Sequence, residues 1–469
     1  MYSCVILSKL FLQSLEQGEL PQDWKVGKVI PLHKGGDKYN PLNFRPISLT
    51  SIPCKILEHI IYTNIFNFLD SNSFFNSAQH GFRRFYSCET QLLTFTHDLH
   101  VTLDRGSRTD CIFLDFSKAF DKVPHALLLH KLRKLNIDLN IIAWIESFLS
   151  DRYQFVHANG TNSSTSRVKS GVPQSSILGP LLFLIYINDL PTHVSSSISL
   201  FAEDCVIYKE IINDSDVSAL QTDINNVTRW CDNWLMELNT FKCRSMRVSR
   251  QNNICPSYCI NNSTLLSVST YKYLGVHITN DLSWNIHVEY ITNNANRLLG
   301  YLRRNFSLAP VSVKLLLYKT LVRTKLEYAG SIWNPGVSLA SSIESIQNHS
   351  ARFILSNYHR TASVTSMKAS LYLPNLSSRR KIARLCLFHK IYHSNPALRT
   401  SLLSEPLYIS PRTDHQLKVR IPYCTTSTFY ASFLPLTSVD WNRLPATVVS
   451  LTDPADFKTA ITNVLMDIR

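Results

Sequence analysis

The sequence predicts an α+β chain, and three observations carry that reading. Short apolar runs of strand length, at residues 25–32, 110–116, 198–201 and 205–208, stand between longer stretches with the helical period of 3.6. Two of these runs carry acids where a strand would bury its side chains. Residues 198–208 (ISLFAEDCVIY) read as two strands with Glu203 and Asp204 at the turn between them, and Asp115 interrupts the apolar run DCIFLDF. A carboxylate in apolar surroundings is costly unless a cation compensates it, and adjacent carboxylates repel. Taken alone, the acidic turn at Glu203 and Asp204 reads more readily as an exposed hairpin tip. Two such strands side by side would gather Asp115, Glu203 and Asp204 into one cluster. Oxygen ligands of this kind suit a hard divalent cation, Mg²⁺ first, and a pair of such ions serves phosphoryl transfer.

Bulk properties bound the function. A chain of 469 residues is too long for one compact domain, and its 45% hydrophobic and 11% aromatic content allows a large core. The net charge of +14 points to a polyanionic partner, nucleic acid before an anionic membrane. The eleven cysteines are scattered, with Cys111 and Cys205 inside apolar runs, which argues for reduced thiols rather than a disulfide framework. Cys255 and Cys259 form a lone C-x₃-C without a second pair and read as structural. The N-terminus has no basic leading segment and is broken by Lys9, and the longest apolar run, 181–187, is too short to span a bilayer. The expectation is a soluble intracellular protein without a membrane partner, in nucleus or cytoplasm.

In chain order, residues 1–24 read as a short helix closed by Leu20-Pro21, followed by the strand 25–32. Residues 33–48 read as a loop, with Lys28, Lys34, Lys38 and Arg45 spread along Gly, Asn and Pro. It is either a solvated loop or a basic flap able to clamp a triphosphate, with Arg45 offering a bidentate fork. Residues 55–69 form a core-facing helix and 88–103 another. Between them Arg83 and Arg84 stand beside Phe82 and Phe85, which suits either a nucleic-acid strand or a solvent-facing patch. Phe120, five residues past Asp115, could sit against a nucleotide sugar or in the core. Helices are expected past Pro124 and over 140–149, with a polar loop at 163–166. In residues 171–191 a tight turn leads into an apolar helix, with Gln174 held at the helix start where N–H groups face outward. A helix follows over 214–238, then strands at 242–249, which includes Lys242, and at 271–278. From 285 to 358 the pattern is helical, with Arg297, Arg303, Arg304, Lys314, Lys319, Arg323 and Lys325 available to lie along a duplex. A basic helix at 377–392 and a closing helix near 456–466 complete the chain.

The order of several short motifs is specific. Leu20-Pro21 with Trp24 and Ile30-Pro31, Arg45-Pro46-Ile47-Ser48-Leu49, Gln79-His80-Gly81-Phe82-Arg83, Leu114-Asp115-Phe116-Ser117-Lys118-Ala119-Phe120-Asp121, Gly171-Val172-Pro173-Gln174, Phe201-Ala202-Glu203-Asp204 and Tyr273-Leu274-Gly275 follow one another. In this order the chain resembles the reverse transcriptases of non-LTR (LINE-type) retrotransposons, of the jockey and chicken-repeat kind, over residues 20–350. The resemblance implies a right-hand polymerase fold: an N-terminal helix (1–24), fingers (25–105), a palm with an antiparallel sheet (106–284, with 127–170 adding to the fingers) and a helical thumb (285–358). A mainly helical region of unknown role (359–469) follows. It implies copying of an RNA template into DNA from a DNA primer, with dNTPs and two Mg²⁺ ions, Mn²⁺ being the expected substitute.

By the same resemblance Asp115, Glu203 and Asp204 are the catalytic and metal-binding carboxylates, with the Phe116 carbonyl as a further ligand. Phe120 is the steric gate against ribonucleotides, Gln174 lies beside the nucleotide, and Arg45 and Lys242 serve the triphosphate and leaving pyrophosphate. Tyr273, Leu274 and Gly275 match the primer grip. Two positions depart from the family pattern: Glu203 replaces the first Asp of the paired aspartates, and Ser175 replaces the Gly after Pro-Gln. The extra methylene of Glu203 moves its carboxylate by about an ångström, a displacement that can cost ~10²-fold in rate. Ser175 would be strained if its turn needs positive φ. These departures define the alternative, a folded nucleic-acid-binding remnant without turnover. An unrelated two-metal nuclease or cyclase would share the acidic cluster but not the ordered motifs. Elements of this kind carry an endonuclease region ahead of the polymerase, and the sequence begins close to the start of the polymerase similarity.

Overall fold

The strand Arg108–Leu114 sends alternate side chains to opposite faces, and this alternation divides the interior of the molecule in two. Cys111 and Phe113 enter one core with Leu92, Phe95 and Leu99 of the helix Cys88–Asp104. Ile112 and Leu114 enter the other, with Leu57 and Ile61 of the helix Ile52–Ser71, Leu182 and Phe183 of Leu178–Ile187, and Ile224 of Asp214–Asn233. The computed structural model describes residues 2–251 and 254–466; residue 1 of the predicted N-terminal segment and residues 467–469 lie outside it.

Arg108–Leu114 is the middle of a five-stranded sheet, flanked by Arg244–Val248 on one side and Asp204–Ile211 on the other, both antiparallel to it. Ser197–Phe201 and Leu266–Ser267 are the edges. The two expected acidic strands are therefore neighbours, joined by the register Leu114↔Cys205. A second sheet is built on Val26–His33, antiparallel to Phe44–Leu49 and parallel to Tyr153–Ala158.

Several expectations are corrected. Asp115 stands just past the end of its strand, not within it. Only the tip of the expected loop 33–48 is irregular, because Phe44–Leu49 folds back as an edge strand. There Pro46, opposite Pro31, gives up no ladder hydrogen bond to a further neighbour. The stretch 271–278 is a hairpin, Thr270–Tyr273 with Val276–Thr279, because Leu274 and Gly275 both take positive φ (45° and 87°) and turn the chain in two residues. Lys242 lies in the turn before Arg244–Val248, where its N–H donates to the Asn239 carbonyl.

The helices Asn285–Asn305, Val337–Ile354, Leu376–Ser394, Phe433–Asn442 and Pro454–Met466 share one core, with Trp441 fully buried against Phe388, Tyr392 and Phe457. Residues 359–466 thus pack with 285–358 instead of standing apart. Much of the basic character predicted for this region is used inside it. Lys314 is buried and donates to Ser356 Oγ, Arg379 pairs with Glu327, and Lys381 and Arg384 both pair with Asp440. Arg297, Arg304 and Lys325 remain exposed. No helix among the described residues is long and apolar enough to cross a membrane.

One strongly buried charge sits in the central strand. Asp110 is wholly enclosed, and the Arg247 guanidinium, 8% exposed, grips it with Nε and Nη2 at 2.6 and 2.7 Å. The Tyr258 hydroxyl adds a third donor at 2.6 Å. Removing one member of such a pair strands the other without compensation. Asp110→Ala is therefore expected to lower stability in urea unfolding by about 3–5 kcal/mol; a loss within the range of an exposed ion pair would contradict this assignment.

Candidate active site

The site is assembled at the mouth of the central strand pair. Continuing the register Leu114↔Cys205 by one residue sets Asp115 opposite Asp204, the first residue of its strand. The turn ahead of Asp204, at Ala202–Glu203, is tight, with Ala202 at φ +54°. It is braced by the Gln79-His80-Gly81 stretch. The Gln79 side chain, 2% exposed, accepts from the Ala202 and Gly81 N–H groups at 2.8 and 2.7 Å and donates to the Ala202 carbonyl at 3.3 Å. A Cβ on Gly81 would meet the Ala202 nitrogen at 2.3 Å, so only glycine fits there. On the other strand, the Asp115 carbonyl accepts from the Asn239 N–H at 2.7 Å and its N–H donates to Cys243 Sγ at 3.4 Å. Backbone on both sides is thereby fixed, and the two carboxylates are held by it.

Their electrostatics follow from that apposition. Asp204 still reaches water, yet the protein around it, and then the charge of Asp115, raise its carboxyl above the ordinary range. Burial raises Glu203 too, with Asp204 and Asp115 adding to the shift; a bond to its own backbone N–H and the Arg45 charge oppose it. Lys242 is the nearest cation, its Nζ 3.6 Å from Asp115 Oδ1. Among the described residues no three His, Cys, Asp or Glu side chains group closely enough to hold a metal ion unaided. A set of hard oxygens with excess negative charge still fits Mg²⁺, which commonly takes one or two carboxylates and leaves its other positions to water and substrate phosphates.

Around the carboxylates opens a cleft of about 1650 Å³. Arg45, Asp115, Phe116, Phe120, Gln174, Glu203, Asp204 and Lys242 all line it, with Lys34 and Lys38 of the hairpin tip adding positive charge. Arg45 is exposed, projecting from the edge strand. Phe120 satisfies both of its readings: its ring stacks on core Phe183 at 4.4 Å while it lines the cleft. Gln174 is not at the helix start. It lies in the preceding loop, where its amide donates to Asp121 Oδ1 at 2.9 Å. Arg83 is not available to a nucleic acid, since its guanidinium is sandwiched between Tyr86 and Phe75 and donates to the Asn76 and Gln79 carbonyls. Phe82, Arg84 and Phe85 stay exposed.

Of the grip residues, Tyr273 is buried and its hydroxyl accepts from Gln91, so the turn Leu274–Gly275 is what faces outward. Tyr328 clasps that turn, donating to the Leu274 carbonyl at 2.8 Å and filling the space a Gly275 side chain would need. Tyr271 stacks on Phe113 at 3.8 Å, and burial, then the charges of Asp204 and Asp115, push its phenol up to about 12. The hairpin therefore lies beside the carboxylates.

Sequence reasoning missed Glu58. It is fully buried on the helix Ile52–Ser71, and Oε2 accepts from the N–H groups of Ile177 and Leu178 at 2.8 and 3.2 Å. The outward-facing amides expected for Gln174 are thus already taken. A lone Glu on an otherwise apolar helical face was the one available signal. Between Gln174 and this anchor, Ser175 sits at φ +73°, the left-handed conformation that a Gly would adopt without cost.

Residues 32–278, more than half of the chain, match the family described as reverse transcriptase (RNA-dependent DNA polymerase), and the chain belongs to that family. It is 26% identical over 430 residues to the RNA-directed DNA polymerase from mobile element jockey of Drosophila melanogaster, covering 87% of this chain and 46% of the relative. It is 27% identical over 345 residues to the probable RNA-directed DNA polymerase from transposon X-element of the same fly, covering 71% and 38%. The chain therefore spans less than half the length of these relatives. Among solved structures it bears a loose likeness to apo telomerase from Candida tropicalis, with 12% identity and a TM-score of 0.43 over 83% of this chain and 67% of that one.

Two stability measurements test the local account. Ser175→Gly, exposed and relieved of left-handed strain, is expected to gain about 1 kcal/mol in denaturant unfolding; no gain would mean the turn is unstrained. Burial raises the Glu58 carboxyl, so the folded chain holds its proton more tightly than the unfolded one. Its contribution to stability is complete below the ordinary value of 4.5 and declines as pH rises through the raised folded value. Glu58→Gln should flatten that decline, whereas Glu58→Ala, which orphans two amides, should lose about 1–3 kcal/mol throughout.

Proposed function

We propose that this chain is an RNA-directed DNA polymerase of a non-LTR retrotransposon, extending a DNA primer 3′-OH with dNTPs on an RNA template. The observation that carries the reading is the convergence of Asp115 and Asp204, through one strand register, in a cleft that also holds Arg45, Phe120, Gln174 and Lys242. The layout supports a division into fingers over 25–105 and 127–170, palm over 106–284 and thumb over 285–358. The net charge of +14 supports a nucleic-acid partner.

In this reading Asp115, Glu203, Asp204 and the Phe116 carbonyl would hold Mg²⁺. When bound, the cations lower the pKa of the attacking 3′-hydroxyl and neutralise charge on the leaving diphosphate. The remaining work falls to side chains. Arg45 projects into the cleft with a planar fork suited to the triphosphate. Lys242 balances Asp115 until the substrates arrive. Phe120, immobilised on Phe183, forms a rigid wall where a ribose 2′-hydroxyl would collide. Asp121 fixes the amide of Gln174 beside the base or sugar. The Leu274–Gly275 turn, clasped by Tyr328, steadies the primer end.

Primer extension on an RNA template checks this directly. Wild type is expected to incorporate nucleotides with Mg²⁺ or Mn²⁺, and Asp115→Ala to lose more than about 10²-fold. Glu203→Asp should extend at least as fast as wild type. Binding of primer–template with no extension by wild type or Glu203→Asp under either ion would favour the inactive remnant.

A further inference from the structure

Strand register places one more side chain beside Asp115, on the flank away from Asp204. Past the end of Arg108–Leu114 the chain pairs with residues that follow the helix Asp214–Asn233, through an antiparallel bridge between Phe116 and Leu238. The Ser117 N–H donates to the Glu237 carbonyl at 2.8 Å, and the Asn239 N–H to the Asp115 carbonyl at 2.7 Å. Asn239 therefore stands directly opposite Asp115. Residues opposite one another in an antiparallel pair share a face, with Cβ atoms about 4.5–5.5 Å apart. Phe116 and Leu238 both turn into the second core, which leaves Asp115 and Asn239 together on the other side. Asp204, Asp115 and Asn239 thus form one row across three adjacent chain segments, and all of them line the cleft.

The backbone of Asn239 is fully used and its side chain is not. Its N–H is committed to Asp115, and its carbonyl accepts the N–H groups of Lys242 and Cys243 at 2.9 and 3.1 Å, closing the turn. The side-chain amide has no hydrogen-bond partner among the described residues, and neither of its polar atoms is sealed from solvent. Two other amides of the same wall are already spent: Gln174 donates to Asp121, and Asn43 to the Asp37 carbonyl. The turn that Asn239 opens also carries Lys242, whose exposed Nζ lies 3.6 Å from Asp115 Oδ1. One short turn thus offers the cleft a neutral donor and a cation beside the carboxylates. A divalent cation held by those carboxylates leaves positions for substrate phosphates. A phosphate so placed brings acceptor oxygens to the amide and negative charge to the ammonium.

We infer that Asn239 is a substrate-binding residue whose Nδ2 donates to the triphosphate of the incoming nucleotide, next to Lys242. The inference rests on the polymerase reading above and adds to it a residue outside the ordered motifs. The competing role, an oxygen ligand to the cation through Oδ1, is separated by its effect on metal binding.

The test uses the full chain with a dideoxy-terminated primer–template, titrated with the complementary dNTP in Mg²⁺ and read by calorimetry. Asn239→Ala keeps every main-chain bond of the turn, so its melting temperature and primer–template affinity are expected to match wild type. Its dNTP affinity should fall roughly 10-fold, the loss of one hydrogen bond to a charged group. Asn239→Asp keeps the shape, loses the donor and sets a like charge against the triphosphate, so it should bind dNTP more weakly still. Mn²⁺ affinity without nucleotide should be unchanged in Asn239→Ala. Wild-type dNTP affinity in Asn239→Ala, or a loss of Mn²⁺ binding there, would overturn the proposal and leave the polymerase reading intact. Wild type that binds no dNTP would overturn both.

Discussion

Because side chains alternate along a strand, a one-residue slip in the pairing of Arg108–Leu114 with Asp204–Ile211 would send Asp115 and Asp204 to opposite faces and exchange the two cores. The register is locked from several directions at once. Phe113 and Ile112 are each committed to a different apolar cluster, so neither can move without the other. The turn that closes the hairpin is held by Gln79 and by the absence of a side chain at Gly81. On its other side the central strand is tied to Arg244–Val248 and to Tyr258 by Asp110.

The same strand treats its two acids in opposite ways. Asp110 is sealed from solvent and held by three donors, an arrangement that contributes rigidity. Asp115, five residues on, has a single cation at 3.6 Å and opens on a cleft. The second arrangement extends to Glu203 and Asp204, whose carboxyls are raised by burial and by the charge of Asp115, with Asp204 adding to the shift of Glu203. A well-made ion pair in the interior and repelling carboxylates at the opening are what the proposed cation-dependent activity calls for.

Much of this was legible in the residues. The strand–turn–strand at 197–211, the acidic run that pairs with it and the helical periods were all readable from polarity alone. The cleft lining matches the residues singled out around Asp115, Gln174 and Arg45. What escaped falls into two physical kinds. Two-residue turns such as Leu274–Gly275, and the edge strand at 44–49 with its prolines, depend on backbone conformation that side-chain polarity does not encode. Partnerships across long sequence distance, Glu58 with the amides of 177 and 178, or Arg83 with carbonyls and rings, turned groups that read as solvent-facing or ligand-facing into internal braces. Charge on residues 377–384 carries the same ambiguity, since a basic helix looks identical in sequence whether its partners are phosphates or Glu327 and Asp440.

The central claim is that strand register brings Asp115 and Asp204 together as one cation site. The most direct measurement is Mn²⁺ binding to the full chain, followed by electron paramagnetic resonance with primer–template and a non-reacting nucleotide present. The account predicts saturable binding in wild type that is lost in both Asp115→Asn and Asp204→Asn while the folded melting transition is retained. Saturable binding that persists in either variant would contradict it.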